Sequence, residues 1–366
     1  MELSIPTVDL EDLRAGGARR DAAAAAIREA FGRYGLIYIR SHGIDPAALD
    51  RFYDVFLALT GRSDAEKRPL ARPDIWFQRG WTPPNTEHAV AAGGQPDFKE
   101  CYFAAPLPGD PEAAALHPEI YADNLWPEGI AGFEAEYLAM GRALHAAGAE
   151  LLRGCAVALG LGEDEFTAAI EGAPHVSRAL RYLPLDAKQA EAGVLWGEEH
   201  TDFNLLTLLP GGRFLDPSGA RCPPPDPGSG LYLRTRATPD APGGKMVRGA
   251  VPQGCIIAQV GQQLEILTGG AFLATPHVIT APKTPGYSRL SCAHFVHLHP
   301  LRTLFPLPPF RTPETVRAYA PPVLAGTYDL KTLVDIHLAP PSAVDALGYR
   351  HYDRLDAQRE HVPGTR

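Results

Sequence analysis

His200-Thr201-Asp202-Phe203-Asn204-Leu205-Leu206-Thr207-Leu208-Leu209 is the stretch whose reading decides the fold. Phe203 to Leu209 suits a strand, and residues i and i+2 of a strand project from one face. His200 and Asp202 could therefore bind one metal ion. Two other H-x-D/E spacings occur, but neither has this setting. Pro118 would interrupt a ladder in His117-Pro118-Glu119, and His351-Tyr352-Asp353 lies in a polar tail with only His361 downstream as a further imidazole. Among 13 histidines such spacings arise by chance.

Working outward, short β-type runs surround this stretch: Ala179 to Leu183, Leu231 to Thr235, Cys255 to Val260, Leu264 to Leu267 and Arg289 to Val296. Closely spaced strands with Gly and Pro between them predict a sandwich or barrel. Pro210 to Gly230 is so rich in Gly and Pro that it reads as a long loop inserted between strands. Before this region the pattern is mixed. An Ala-rich helix from about Arg20 to Tyr34 stops at Gly35 and gives way to the buried strand Leu36-Ile37-Tyr38-Ile39. Asp45-Pro46 is an N-cap and first-turn pair, followed by Leu49, Phe52, Phe56 and Leu59 at helical spacing. Phe133, Tyr137, Met140, Leu144, Ala147 and Leu151 predict a long helix packed on a core. The tail is Pro-rich to Pro322, with one helix expected near Tyr328 to Ile336.

Composition bounds the function. The 366 residues are 45% hydrophobic and 21% charged, with 36 Gly and 36 Pro, so a globular, loop-rich protein is expected; the length alone permits one large domain or two. Asp plus Glu outnumber Lys plus Arg by 43 to 34, and no basic stripe could track phosphates, which argues against nucleic acid as a partner. Membrane-spanning runs and a secretory leader pattern are absent from the sequence as given, and the five cysteines form no C-x-x-C pair. The expectation is a cytoplasmic protein with reduced thiols and no membrane partner.

A third metal ligand is sought downstream. His277, in Ala274-Thr275-Pro276-His277-Val278-Ile279, begins an extended apolar run and could return over the same barrel; alone it could equally be a hydrogen-bonded core histidine. Arg289-Leu290-Ser291 sharpens the reading. Arg289 and Ser291 share a strand face, and an inward guanidinium with a neighbouring hydroxyl suits a carboxylate, although a structural salt bridge would use the same arginine. Two histidines and one carboxylate leave coordination positions open for substrate, cosubstrate and dioxygen.

With these residues in place, the sequence resembles the iron(II)/2-oxoglutarate-dependent oxygenases of the isopenicillin N synthase-like group. The resemblance touches Ile5 to Leu10, Gly35 to Ile39, Ser41 to Ile44, Arg79 to Thr82, Glu87-His88, Asp97 to Glu100 and Leu180 to Pro184. It continues through the H-x-D region, Gln262 to Gly270, His277, Arg289-Leu290-Ser291 and Ala325 to Tyr328. It implies a mainly β single oxygenase domain over 1–366: an N-terminal α/β region (1–110), a double-stranded β-helix or distorted jelly-roll core (175–300) backed by the long helix, and a C-terminal extension (301–366). It further implies Fe(II) held by His200, Asp202 and His277, and 2-oxoglutarate held by Arg289 and Ser291 with Tyr182 beside it. O2 would be the co-reactant and a small molecule would be hydroxylated, desaturated or cyclised. The Asn often found two residues before that tyrosine is absent, and Val260-Gly261-Gln262 replaces the usual Val-Gly-Asp. Glu87, Phe203 and Phe295 are the candidate substrate contacts. The alternatives are an iron oxidase that uses no 2-oxoglutarate and a non-catalytic metal-binding jelly roll.

Overall fold

The protein is described by a computed structural model over residues 5–86, 98–235 and 241–346. Helix boundaries follow local chemistry. Asp45 accepts from the Ala47 N–H with Pro46 at the first helical position, and the helix Pro46–Thr60 buries Leu49, Phe52, Phe56 and Leu59. The Ala-rich helix is Gly17–Arg33, starting earlier than expected and ending before Gly35. A Cβ on Gly35 (φ 65°) would lie 2.1 Å from Thr275 Oγ1 and 2.2 Å from the Leu273 carbonyl, so only glycine fits this turn into the strand Leu36–Arg40. The long helix Phe133–Ala158 buries all six of its predicted core positions.

Two sheets face each other. The larger carries, in order, Thr7–Asp9, Leu36–Arg40, Ile256–Val260, Leu206–Leu209, Ser288–Val296, Val176–Tyr182, Lys99–Ala104 and Gly80–Thr82; Arg213–Leu215 also pairs with Ser288–Val296. Opposite lie Met246–Arg248, Gly230–Arg234, His277–Thr280 and Gly197–His200. Alternation along each strand divides two cores. Leu290, Cys292 and Val296 pack with the long helix, as do Ile37 and Ile39, whereas Leu36, Tyr38, Leu180, Tyr182 and Ala293 face the interior between the sheets. Strands from the first hundred residues join the same sheet as those after residue 175, which closes one side of the jelly roll.

Three local expectations are corrected. Leu264 to Leu267 is not a strand: Gln262–Leu267 is a helix, because the apolar positions lie on one turn above Gly261. The segment after Pro210 is not featureless, since Arg213–Leu215 and Arg221–Cys222 pair with each other. Strand geometry ends at His200 and resumes only at Leu206, so Asp202 and Phe203 occupy the break. The helix expected near Tyr328 to Ile336 is Ala325–Asp335, and it is flanked by two shorter helices not expected from the sequence, Pro313–Tyr319 and Ser342–Ala346.

Buried charge sits under the N-terminal helices. Glu100 accepts from Lys67 Nζ at 2.7 Å and Trp81 Nε1 at 2.9 Å, with Arg181 Nη1 3.7 Å away. Glu100→Ala leaves the buried Lys67 ammonium only the exposed Asp64 carboxylate, 3.2 Å away, and is expected to cost about 3 kcal/mol in urea unfolding. The apolar double replacement Lys67→Met/Glu100→Leu should recover most of it.

Two buried histidines, His175 and His294, and the half-buried His145 form a second polar group beneath the sheet. His294 lies 3.0 Å from Ser177 Oγ and 3.3 Å from His145; His175 accepts from the His297 N–H at 3.2 Å and faces the Ile170 carbonyl at 2.9 Å. Burial lowers all three pKa values, that of His145 to about 4. The folded state therefore binds fewer protons than the unfolded chain, whose histidines titrate near 6.5. The stability these neutral rings contribute is intact above pH ~6.5 and is lost as pH falls towards the folded values. Thermal melts of metal-free protein should show the midpoint falling across that interval, and His294→Gln should flatten the fall.

Candidate active site

His200 and His277 are brought together by pairing: they are direct cross-strand partners, with ring centroids 4.3 Å apart. Asp202 completes the group, its Oδ1 3.7 Å from His200 Nε2 and 3.9 Å from His277 Nε2. Ligand atoms of all three lie within 4.8 Å of one another, and among the described residues this is the one such cluster of three or more His, Cys, Asp or Glu donors. The His117 spacing joins no cluster, and the His351 spacing lies outside the described residues.

Neighbours fix the orientation of each donor. His200 Nδ1 is 2.7 Å from the Glu198 carbonyl, to which it donates, so its Nε2 lone pair faces Asp202. Thr207 Oγ1 donates to Asp202 Oδ2 at 2.6 Å. Burial would raise the Asp202 carboxyl, but the His277 and His200 rings and the Thr207 hydroxyl outweigh it and hold it below its ordinary value. Burial, with His200 alongside, lowers His277 to about 4, which leaves the imidazole neutral and able to donate a lone pair. His277 Nδ1 lies 2.6 Å from the Gln259 carboxamide, whose Oε1 has no partner. A 180° turn of that amide presents Oε1 to an Nδ1–H and keeps His277 Nε2 towards Asp202. Gln259 and Thr207 are themselves paired across adjacent strands, so one rung of the ladder supports two of the three donors.

Arg289 and Ser291 project from one face of Ser288–Val296 into the cavity that contains the triad, a space of about 910 Å³. Tyr182 is the cross-strand partner of Arg289, with the guanidinium 5.6 Å from its ring centroid and the ring stacked on Trp196. Nη1 of Arg289 is buried without a hydrogen-bond partner among the described residues, which distinguishes it from a structural salt bridge. Gly212 makes room for this side chain: a Cβ there would lie 2.8 Å from both Nε and Nη2 of Arg289 and 2.7 Å from the Leu290 carbonyl.

A second cavity of about 390 Å³ opens on the other side of His200 and Asp202. Phe203 and Phe295 line it, Phe203 with its ring 5.6 Å from His297 and Phe295 beneath the Arg178 guanidinium at 5.0 Å. Glu87 lies outside the described residues. Sequence reasoning missed Arg178, Thr207, Gly212 and Gln259. Arg178 carried a signal, since it shares the strand parity of Tyr182; the roles of the others depend on pairing with distant segments. Among the described residues no helix is long and apolar enough to cross a membrane.

Comparison with known proteins places this geometry. The N-terminal family described as non-haem dioxygenase in morphine synthesis matches residues 5–129. A 2-oxoglutarate-Fe(II) type oxidoreductase of Aspergillus fumigatus is 28% identical over 188 residues, covering 50% of this chain and 55% of that protein, so the chain spans about half that relative's length. A 1-aminocyclopropane-1-carboxylate oxidase of Dictyostelium mucoroides is 22% identical over 339 residues, covering 81% and 83%. A 2OG-Fe(II) oxygenase family structure from Caulobacter crescentus superposes with TM-score 0.73 at 25% identity, covering 91% of this chain and 99% of that one. Neurospora crassa T7H, solved with alpha-KG, shares the fold at TM-score 0.73 and 20% identity over 91% and 96%. The chain is thus similar to iron(II)/2-oxoglutarate-dependent oxygenases in its N-terminal third and, through the full-length relatives, along most of its length, and it shares their jelly-roll fold.

Proposed function

We propose that the protein oxidises a small-molecule substrate with iron(II), 2-oxoglutarate and dioxygen, with His200, Asp202 and His277 as the iron ligands. The observation that carries the reading is the pairing of His200 with His277 around Asp202, in a cavity that also holds an unpartnered Arg289 nitrogen. The residues fit the cofactors. Two imidazoles and a carboxylate suit a borderline divalent ion and leave other positions open, and a buried guanidinium lacking a partner among the described residues suits a carboxylate.

Iron(II) with 2-oxoglutarate supplies the oxidising power, one oxygen atom of O2 entering succinate as CO2 is released and the other inserting into a substrate C–H bond. The chain's own residues bind, orient and shield. His200 is held by the Glu198 carbonyl and His277 by Gln259, so both present Nε2 to the metal. Thr207 occupies one oxygen of Asp202 and leaves the other for the ion. Arg289 and Ser291 receive the far carboxylate of 2-oxoglutarate, with Tyr182 and Trp196 as the wall behind the guanidinium. The smaller cavity, walled by Phe203, Phe295 and Leu333, receives the substrate and excludes water from the reacting carbon.

The test is conversion of labelled 2-oxoglutarate to succinate and CO2. Iron-dependent release that rises with an accepted substrate is expected; substrate oxidation without succinate would replace this reading with the oxidase.

A further inference from the structure

The large cavity extends well beyond what one cosubstrate fills. At an upper allowance of ~30 Å³ per heavy atom, the volume of a liquid water, a ten-atom diacid occupies roughly 300 Å³, against about 910 Å³ here. The remainder runs away from the triad to an opening formed by Gly43, Gly211, Pro224 and Ala250, where Leu36–Arg40 and Met246–Arg248 leave the two opposed sheets. The strand Ser288–Val296 gives the direction. Phe295 stands at the mouth shared with the smaller cavity, and Arg289 lies six residues back, roughly 20 Å along the strand, beside Gly212.

The two mouths differ in charge. Lys99, Arg178 and Asp202 line both cavities; beyond them, among the described residues, the large one adds Arg213, Arg248 and Arg289 with no carboxylate, whereas the small one adds Arg79 with Glu198, Glu199 and Asp329. Arg213 shares Asp50 at 3.0 Å and Glu199 is paired with Arg234 at 2.7 Å, which leaves Glu198 and Asp329 as the acidic groups of the small mouth; Arg248 donates to the uncharged Ser229 carbonyl, so among the described residues its charge and that of Arg289 have no carboxylate partner. A dianion is drawn through the basic opening and repelled by the acidic one.

We infer that 2-oxoglutarate enters, and its diacid product leaves, through the far end of the barrel between Gly43 and Ala250, a route separate from the substrate mouth. This rests on the iron and 2-oxoglutarate reading above. The substrate then need not leave for the diacid to exchange, and the anchor Arg289 lies on the diacid's path before the metal.

Stopped-flow mixing of anaerobic iron(II)-loaded protein with 2-oxoglutarate tests the route. Ala250 is exposed at the far opening, and Ala250→Trp narrows it; Thr332→Trp narrows the substrate mouth. A route changes rates without changing equilibrium. Ala250→Trp is expected to lower the association and dissociation rate constants by the same factor, roughly tenfold, with unchanged affinity, while Thr332→Trp alters neither. Cys222, which lines the far lobe and alone among the described cysteines is not buried, allows the same obstruction after folding by alkylation with a bulky reagent. Slowing by Thr332→Trp but not by Ala250→Trp or alkylation overturns the inference, as does weakened affinity with an unchanged association rate. Failure of the wild type to bind 2-oxoglutarate falls instead on the iron and 2-oxoglutarate reading.

Discussion

His277→Ala is expected to abolish turnover and to lower iron(II) affinity by more than about 100-fold, which an equilibrium titration under anaerobic conditions would read. The magnitude follows from comparison with weaker perturbations. Removing a group that merely orients a metal-bound histidine costs 10–100-fold, and His277 is proposed to supply a bond to the metal itself. Its position allows no substitute: the ring faces His200 directly and Asp202 at 3.9 Å, and no other donor among the described residues joins the cluster. Asp202→Asn gives the sharper chemical test. The carboxamide keeps an acceptor for the Thr207 hydroxyl, so the loop stays in place, but the negative charge is gone and iron binding falls while the fold persists.

Arg289→Ala is expected to leave iron binding intact and to raise the 2-oxoglutarate requirement about 30-fold to several thousand-fold, the range for truncating one partner of a buried charge pair at a cost of about 2–5 kcal/mol. Arg289→Lys recovers only part of this, because an ammonium cannot reproduce the planar fork. Gly212→Ala acts on the same side chain without removing it. The added Cβ, 2.8 Å from the guanidinium and 2.7 Å from backbone, must displace Arg289, and displacements of about 1 Å can cost 10²-fold. Both effects are read as apparent affinity for 2-oxoglutarate at saturating iron. An Arg289→Ala enzyme with unchanged 2-oxoglutarate affinity removes this residue from the site.

The parts of the site that were legible are those whose chemistry is local in sequence. His200 with Asp202 and Arg289 with Ser291 are separated by one residue each; strand periodicity places the second pair on one side, whereas Asp202 reaches His200 from the break just after the strand. His277 required an inference about return across the barrel, and its pairing with His200 supports that inference. What escaped reading depends on contacts between distant segments. Gln259 lies in the apolar run Ile256–Val260; its relation to Thr207 arises only when that strand pairs with Leu206–Leu209, and its contact with His277 only when the two sheets face each other. Gln262–Leu267 misled because Leu264, Ile266 and Leu267 form a run too short for periodicity to separate helix from strand. The strands at Arg213–Leu215 and Arg221–Cys222 were masked by flanking Gly and Pro, yet they place Gly212 against Arg289.

The central claim is that one pocket assembles iron(II) and 2-oxoglutarate on these residues, and anaerobic visible spectroscopy tests it most directly. Metal-free protein titrated first with iron(II) and then with 2-oxoglutarate is predicted to develop a weak charge-transfer band only when both are present, and His277→Ala is predicted to develop none. Iron binding without a band on addition of 2-oxoglutarate, or a band that survives in His277→Ala, would contradict the account.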